Sequence, residues 1–456
     1  MPARSACWRC VPRPSSSPCS GSPWRRRWST RAMPDDGLKQ WLAAPSVWQL
    51  DAGEAPRQDT PLPRRVDLAV LGAGLGGLSA ALHGLEAGCS VCVLEAQRVG
   101  AGASGRNSGF VVPAPSRQTP ASLERLLGEA AGPFVRGLQE AGTRLLQGPG
   151  ASAVQGWAQP WDGEVDPAAV VRLADDWRRL GVEARAADRD ALQARIGTDR
   201  YAGGLCFERG GQIDPYAAAQ GLAERVRQAG GSLVEGCPAL TLRPRGEGYL
   251  IRTPQGDLLA DRVLVAGNAY GREASATTRR AISPLALVLA TFAGDVPGEP
   301  LPFSDNRKDI WFFRRLADGR LLTGCFALPG LDRRQCEALL GQRIRHLYGV
   351  EPGPLQHVWA GWVGLTLNAL PRIESRDARL LHWSGCNGRG LALSSLMGRL
   401  LVERLLGGDG LGLPPAAPSP WQGMPLLGWL GRLAIALDRR QRHRGLPAPV
   451  VSLSAS

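Results

Sequence analysis

A glycine-rich turn between two hydrophobic runs is the feature of this 456-residue chain that is best suited to bind a ligand. The turn reads Gly-Ala-Gly-Leu-Gly-Gly over residues 72–77 and follows an apolar run at 66–71. Gly72 permits a tight turn, Gly74 allows the backbone to approach a pyrophosphate, and Gly77 allows the next helix to pack closely on the strand. The amides that begin this helix would direct a partial positive charge toward phosphate. The pattern therefore predicts a dinucleotide site.

An acidic residue, Glu95, follows the second predicted strand at residues 91–94. Its carboxylate can accept hydrogen bonds from both hydroxyls of a ribose, and it would repel a 2′-phosphate, which argues against NADP. The strand, turn, helix and acid occur in the order and at the spacing of a β-α-β dinucleotide unit. An ordinary β-α-β unit with a glycine turn is the alternative interpretation, because such turns are common.

A second glycine-rich loop comes directly after this acid. Residues 100–109 read Gly-Ala-Gly-Ala-Ser-Gly-Arg-Asn-Ser-Gly, a loop that an NAD enzyme does not need. The stretch resembles the "GASGRN-x-G" loop of the D-amino-acid-oxidase superfamily of FAD enzymes, and its wording is closest to the gamma-glutamylputrescine oxidoreductase group. The resemblance implies that FAD is the cofactor and that this loop passes along its pyrophosphate. The loop residues then expected to bind FAD are Ala103, Ser104, Gly105, Arg106 and Asn107.

Further motifs extend the resemblance over about residues 66–407. Residues 359–373 are similar to the family's "W-x-G…T-x-D-x-x-P-x-I", with Asn368 where an aspartate is usual. Residues 384–393 resemble its "G-x-x-G-H/R-G-x-x-L" loop, which opens a helix beneath the flavin, and a strand ending at Gly267 resembles its "v-A-t-G" strand. The resemblance implies further cofactor-binding residues at Gly267, Gly385, Gly388, Arg389 and Gly390.

The order of predicted strands and helices indicates an α/β protein. The resemblance implies a discontinuous, Rossmann-like FAD-binding domain, with an inserted α+β substrate domain built on a mixed or antiparallel sheet. The FAD-binding domain is expected at 66–115, 214–270 and 356–410, and the substrate domain at 116–213 and 271–355. The remaining segments are a disordered extension or mis-assigned start at 1–32, an N-terminal segment and linker at 33–65, and a loop and helix at 411–456.

The resemblance also implies a chemistry, the oxidation of a C–N bond of an amine or amino acid by hydride transfer to flavin. Arg389 and the helix that follows it are expected to stabilise the negative charge of the reduced ring. Trp311, Phe313 and Trp362 are candidates for a pocket that attracts a cationic amine, although each is equally well explained as a core residue. The pattern indicates no catalytic base. A 2-hydroxy-acid dehydrogenase on the same fold and a non-catalytic flavin-binding module are the alternatives.

The electron acceptor is left open between dioxygen and a quinone or electron carrier. In sarcosine-oxidase-like relatives a lysine near the flavin assists the reaction with dioxygen, and residues 320–324 of this chain contain none. Cys325 does not stand in a recognisable covalent-flavin motif, so we expect FAD to be bound non-covalently.

The net charge of +13 comes almost entirely from arginine and is concentrated in the first 32 residues. No basic patch interleaved with aromatic residues occurs on a nucleic-acid-binding pattern, so no nucleic-acid partner is expected. Two cysteine pairs, Cys7 with Cys10 and Cys89 with Cys92, have CxxC spacing, but the first lies in the N-terminal extension and the second flanks and enters a predicted strand. Neither is accompanied by histidines at ligand spacing, so no metal site is expected. Cysteines without a disulfide framework indicate a cytoplasmic protein.

The C-terminal segment combines an apolar run at 424–437 with a basic cluster at 438–444. The run is too short to span a bilayer. Peripheral contact with a membrane is one interpretation, because interfacial helices show this pattern. A helix that covers the active-site mouth or a subunit interface is the interpretation we favour from the sequence, because Gly428 and Gly431 lower helix propensity.

Overall fold

A computed structural model describes residues 36–53, 60–274, 282–294, 296–297, 301–414 and 425–443. The expectation for residues 1–32 lies outside these ranges. The described strands are β1 (Arg65–Leu71), β2 (Val91–Leu94), β3 (Phe110–Val111), β4 (Ala151–Pro160), β5 (Ala184–Asp188), β6 (Gly203–Ile213), β7 (Ser232–Val234), β8 (Thr241–Arg245), β9 (Gly248–Thr253), β10 (Gly256–Val265), β11 (Ser283–Phe292), β12 (Phe303–Ser304), β13 (Phe312–Arg315), β14 (Leu321–Phe326), β15 (Leu355–Leu365), β16 (Arg372–Asp377) and β17 (Leu380–Ser384). The described helices are α1 (Asp36–Ala43), α2 (Val47–Ala52), α3 (Leu75–Glu86), α4 (Pro120–Leu127), α5 (Ala131–Leu146), α6 (Pro167–Arg179), α7 (Arg189–Ile196), α8 (Pro215–Gln228), α9 (Arg333–Tyr348), α10 (Gly390–Leu405) and α11 (Pro425–His443).

The first sheet has the strand order β16-β17-β10-β1-β2-β7. In addition, β9 pairs with β10, and β8 pairs with β9. The strands from β17 to β7 run parallel, and β16 is antiparallel to β17. Strand β2 is wholly apolar and β1 is apolar from Leu68 onward, because helices and loops cover both faces of a parallel sheet. Their carboxyl ends, together with that of β10, lie at one edge, which is where ligands bind in open α/β sheets.

Two helices pack against each other beside this sheet. A Cβ on Gly398 of α10 would lie 2.7 Å from the backbone nitrogen of Ala80 in α3, so glycine allows the two helices to approach closely. The helices begin near the same edge of the sheet, and their N-terminal ends therefore border the region where the parallel strands end.

The second sheet has the order β15-β11-β14-β13-β12-β4-β6-β3, with β5 added to β6. Its pairs are antiparallel except for the pairing of β12 with β4. Strand β15 pairs with β11 along the whole length of β11, so residues 356–365 belong to this sheet, although the sequence placed them with the FAD-binding segments. The division into domains stays a prediction, and the pairing of β15 argues for a boundary after Leu365.

Two further patterns in the sequence predict local structure. The pair Asp214-Pro215 predicts a capped helix start with proline in the first turn, and residues 309–314 and 320–324 predict a hairpin joined through 317–319. The structure confirms both. Helix α8 begins at Pro215, and Asp214 caps it by accepting hydrogen bonds from Tyr216 N–H and Ala217 N–H at 2.8 and 3.0 Å. Strands β13 and β14 form the expected antiparallel hairpin. The sequence pattern also predicts two separate strands, at 258–261 and 262–268. This prediction is wrong, because residues 256–265 form a single strand, β10, which pairs with β9 over 256–260 and with β1 over 259–265.

Candidate functional site

The glycine-rich turn lies where β1 ends and α3 begins. Gly72 has φ +113°, which L side chains rarely adopt, and a Cβ on Gly77 would lie 1.9 Å from the Gly72 carbonyl oxygen. The Ser104 hydroxyl accepts a hydrogen bond from Leu75 N–H at 2.9 Å, and a Cβ on Gly74 would lie 2.9 Å from the same hydroxyl. Backbone packing thus requires glycine at 72 and 77, and Gly74 leaves room for Ser104. The other amides of the first turn have no acceptor within the helix.

The Glu95 carboxylate lies beside this turn. Its Oε2 accepts a hydrogen bond from Ala73 N–H and its Oε1 accepts one from Gln97 N–H, both at 2.8 Å. Burial raises the pKa of Glu95 above its ordinary value, and the two hydrogen bonds oppose that rise. Each carboxylate oxygen has a second lone pair, so both can still accept a hydrogen bond from a ribose hydroxyl.

The second glycine-rich loop is held together by its own side chains. The Asn107 amide donates to the carbonyl oxygens of Ala103 and Ser104 at 2.9 and 3.1 Å, and its Oδ1 accepts from Gly109 N–H at 2.8 Å. A Cβ on Gly105 would lie 2.3 Å from a carbonyl oxygen earlier in the loop. These contacts fix the path of the backbone from the end of the first β-α-β unit toward the second sheet.

Arg106 is buried and donates to the protein's own backbone. Its Nε donates to the Ala360 carbonyl oxygen at 2.8 Å, and its Nη2 donates to that of Ala44 at 2.6 Å and that of Trp41 at 3.0 Å. Its own carbonyl oxygen accepts from the Trp359 indole N–H at 3.0 Å. The Arg106 side chain therefore joins the N-terminal helices and β15 to the loop, and an FAD contact at this position would come from its backbone.

A second pair of loops meets at the carboxyl ends of β10 and β17. Asn268, next to Gly267, accepts a hydrogen bond through its Oδ1 from Gly385 N–H at 2.9 Å. Asn387 donates to the Gly385 carbonyl oxygen at 2.7 Å and accepts from Thr366 N–H at 2.8 Å. Residues from three distant parts of the sequence are thereby held at the start of α10.

The segment between β17 and α10 turns at two glycines with positive φ, Gly385 at +81° and Gly388 at +79°. A Cβ on Gly385 would lie 2.4 Å from Thr366 Cγ2, whereas nothing lies within 4 Å of the same position on Gly388. Helix α10 begins two residues later at Gly390. The amides of its first turn, with their partial positive charge, therefore lie close to an open part of the surface.

Arg389 lies at the N-terminal end of α10 and lines a pocket. Its guanidinium carbon is 4.4 Å from the centre of the Trp157 ring. Burial lowers the pKa of Arg389 to about 10, so the side chain is still protonated at neutral pH. Cys386 and the apolar side chains of Phe134 and Leu138 from α5 line the same pocket. The arrangement offers a positive charge, partly shielded from water, to an anionic group.

Comparison with known proteins identifies the family. A family model described as "FAD dependent oxidoreductase", the DAO family, matches residues 67–404, which is most of the chain. The chain belongs to this family of FAD-dependent oxidoreductases. The resemblance seen in the glycine-rich motifs is thus confirmed, and FAD is the cofactor of the family.

Individual relatives cover most of the chain as well. Gamma-glutamylputrescine oxidoreductase of Escherichia coli (strain K12) is 29% identical over 362 residues, which are 75% of this chain and 84% of that protein. Glycine oxidase of Geobacillus kaustophilus is 24% identical over 370 residues, 75% of this chain and 94% of that protein.

Solved structures confirm the predicted fold class. The crystal structure of glycine oxidase from Geobacillus kaustophilus aligns with a TM-score of 0.62 at 20% identity, covering 80% of this chain and 99% of that chain. L-amino acid deaminase from Proteus vulgaris aligns with a TM-score of 0.63 at 19% identity, covering 80% and 94%.

The residues at the edge of the first sheet fit the FAD of this family. The first-turn amides of α3 form a donor set for a pyrophosphate, and Glu95 supplies acceptors for a ribose. The first-turn amides of α10 and Arg389 supply positive charge for an electron-rich ring. Gly72 and Gly77 are in positions where a Cβ would collide with the backbone or strain it, so the narrow turn depends on them. The assignment of individual residues to parts of FAD stays a prediction.

The aromatic candidates are placed mainly in the protein core. Trp311 lies beneath Arg307, whose guanidinium carbon is 3.9 Å from the ring centre, and Phe313 packs against Phe303 at 5.6 Å between ring centres. Both belong to the hydrophobic core of the second sheet, which encloses them. Trp362 is half-buried and packs against the edge of this core. This packing supports a role in a substrate pocket only for Trp362.

Three residues near the site, Asn268, Asn387 and Trp157, were not predicted from the sequence to have a role. Asn268 and Asn387 have φ +44° and +52°, and asparagine tolerates this left-handed region better than most residues. Their positions directly after a strand end and within a glycine-rich loop are a signal that sequence reasoning could have used. Trp157 is on β4, and its sequence context gives no sign that it contacts Arg389.

The cysteines within the described ranges are free thiols. No group of three histidine, cysteine, aspartate or glutamate side chains is placed to hold a metal ion in the part of the chain that the structure describes. The expectation that the protein has no metal site stays a prediction.

Proposed function

We propose that this protein oxidises a C–N bond of an amine or amino acid to an imine, which water then hydrolyses to a carbonyl compound and an amine. The pocket at the start of α10 supports this proposal, because Arg389 lines it and the glycine-rich turn with Glu95 lies at the same edge of the first sheet. The relatives named above support it too, because their names refer to an amine or an amino acid.

When bound, FAD would supply the two-electron acceptor for the hydride on the carbon next to the amine nitrogen. The chain's own residues hold and surround the reacting partners. Glu95 would accept hydrogen bonds from a ribose of the cofactor, and Arg389 with the first turn of α10 would stabilise negative charge on its ring. Phe134, Leu138 and Leu393 form an apolar wall that keeps water away from the substrate carbon.

The electrons pass on to dioxygen or to a quinone or another electron carrier. We propose that a carrier is the better candidate, because β14 contains no lysine that could assist the reaction with dioxygen. The small-molecule amine is the substrate partner, and we propose no nucleic-acid partner. A cytoplasmic location stays a prediction that is supported by the free thiols.

The test is a substrate screen on the purified protein. We expect a visible flavin spectrum, a yellow supernatant after acid precipitation, and bleaching of the flavin without oxygen by a polyamine, a glutamylated amine or an amino acid. The rate at which air restores the colour then distinguishes an oxidase from a dehydrogenase. Bleaching by a 2-hydroxy acid and by none of the amines would refute the proposal, and flavin in the acid pellet would refute non-covalent binding.

A further inference from the structure

Helix α11 lies across the second sheet and is attached to it through one face. Ile435 is buried in an apolar cluster with Leu285 of β11 and Phe326 of β14. A Cβ on Gly428, two turns earlier, would lie 3.8 Å from Ser283 Oγ. Gly428 and Ile435 are seven residues apart and therefore face the same way on an α-helix.

Charged groups strengthen this attachment. Arg439 Nε donates to Asp309 Oδ2 at 2.8 Å, and Arg439 Nη2 donates to the Phe326 carbonyl oxygen at 2.9 Å. Asp309 N–H donates to Asp438 Oδ2 at 3.2 Å. Because Ile435 and Arg439 are one turn apart, a single face of the helix makes these contacts, and its orientation is fixed.

The opposite face of α11 is apolar and exposed. Trp429, Leu430, Leu433 and Leu437 are 58%, 44%, 38% and 53% exposed. Ten large apolar side chains are exposed among the described residues, and these four lie on this one helix. Leu430, Leu433 and Leu437 follow the i, i+3, i+7 spacing of one helical stripe. A stripe of this kind, rigidly held away from the core, marks an interaction surface.

The charges beside this stripe identify the partner. Arg440 is exposed, and Arg432 is half-buried on the flank. The sole acid between residues 425 and 443 is Asp438, and its side chain accepts a hydrogen bond from Asp309 N–H. A basic helix with Trp and Leu on its outer face matches helices that lie in the interface of an anionic bilayer. A second copy of α11 fits less well, because the one acid of the helix faces the second sheet and leaves the arginines of either copy without a carboxylate on the partner helix.

In place of the interpretation favoured from the sequence, we infer that the outer face of α11 docks this enzyme on the surface of an anionic lipid bilayer. The leucines and Trp429 enter the boundary between headgroups and acyl chains, and Arg440 contacts the headgroup phosphates. No described helix is long and apolar enough to cross a bilayer, so the contact is peripheral. The inference goes beyond the oxidation reaction and does not depend on the identity of the amine.

The test is co-sedimentation of the full-length, FAD-loaded protein with vesicles. Vesicles of phosphatidylcholine and phosphatidylglycerol in equal parts should bind the protein, and those of phosphatidylcholine alone should bind it far less. Leu433→Ser with Leu437→Ser should weaken binding at least about tenfold, because apolar burial is lost. Arg440→Gln should weaken it about fivefold and reduce its dependence on salt.

The matched control replaces two leucines of similar exposure elsewhere, Leu126→Ser with Leu240→Ser, and should leave vesicle binding unchanged. All variants should retain the flavin spectrum and melting temperature, which shows that the fold is intact. Failure of the wild-type protein to bind anionic vesicles would overturn the inference. An equal loss of vesicle binding in the control variant would also overturn it. The same holds if the protein does not bind vesicles but forms a concentration-dependent dimer in sedimentation velocity, and the α11 substitutions abolish that dimer.

Discussion

Asn268 Oδ1 accepts a hydrogen bond from the Gly385 backbone N–H at 2.9 Å, although the two residues are 117 positions apart. The bond joins the loop at the carboxyl end of β10 to the loop that precedes α10. Both loops belong to the motifs that predict FAD contacts. A single side chain therefore sets the distance between two parts of the proposed cofactor site.

Asn268→Ala should lower both stability and FAD retention. The change leaves the Gly385 amide without its acceptor and places alanine at a positive φ, so the free energy of unfolding should fall by about 1–3 kcal/mol. Chemical denaturation and the flavin absorbance of the purified protein measure the two effects. Asn306→Ala is the control, because the Asn306 side chain also accepts a backbone hydrogen bond but at the surface. Equal losses in both variants would contradict the prediction.

Glu95→Ala should weaken FAD binding. The substitution removes the acceptors for the ribose hydroxyls and leaves Ala73 N–H without its partner, at a cost of about 1–3 kcal/mol. Titration of the apoprotein with FAD, followed by flavin fluorescence, measures the change in Kd. Glu224→Ala on the exposed side of α8 should leave the Kd unchanged. An unaltered affinity in the Glu95 variant would show that the carboxylate does not bind the cofactor.

The same residue should influence how the stability of the apoprotein depends on pH. Burial raises the pKa of Glu95 above its ordinary value of 4.5, so the folded state favours the protonated carboxyl. Its contribution to stability is complete below 4.5 and is lost as pH rises through the higher folded pKa. Melting curves between weakly acidic and neutral pH should show that wild-type apoprotein loses more stability than Glu95→Ala over this range. Parallel curves would contradict the raised pKa.

Arg389→Met should make the bound flavin harder to reduce. Loss of the positive charge should lower its reduction potential by roughly 20–60 mV, which corresponds to about 1–3 kcal/mol for a two-electron couple. Arg389→Lys should restore part of the difference. The difference in reduction potential between the wild type and Arg389→Met should disappear as pH rises through about 10, because the buried guanidinium of the wild type then loses its proton. Arg399→Met, on the same helix but paired with Glu403, is the control and should leave the potential unchanged.

Asp309→Ala should destabilise the protein by about 3–5 kcal/mol, because it leaves the buried Arg343 and the partly buried Arg439 without their shared carboxylate. Asp309 forms ion pairs with both Arg343 and Arg439. Urea unfolding measures the loss. Asp318→Ala removes an exposed partner of Arg320 and should cost less than about 1 kcal/mol. A small effect at Asp309 would show that water reaches this cluster.

Local patterns in the sequence were sufficient for the first β-α-β unit, the cap of α8 and the β13–β14 hairpin. Each of these depends on residues close together in the chain, such as Gly72 with Gly77 or Asp214 with Pro215. The backbone conformation that a short glycine turn or a helix start requires is encoded by the residue types themselves. The glycine-rich motifs also carry the resemblance to the family, and that resemblance was sufficient to predict the FAD-dependent family and its fold class.

Contacts between distant segments were decided only by the tertiary structure. The sequence could not show that Arg106 would bind the carbonyl oxygens of the N-terminal helices and β15, or that Arg389 would lie against Trp157. It also left open whether Trp311 and Phe313 line a pocket, and the structure places both in the core. Such contacts depend on how the two sheets pack, and packing is the sum of many small interactions between residues far apart in the chain.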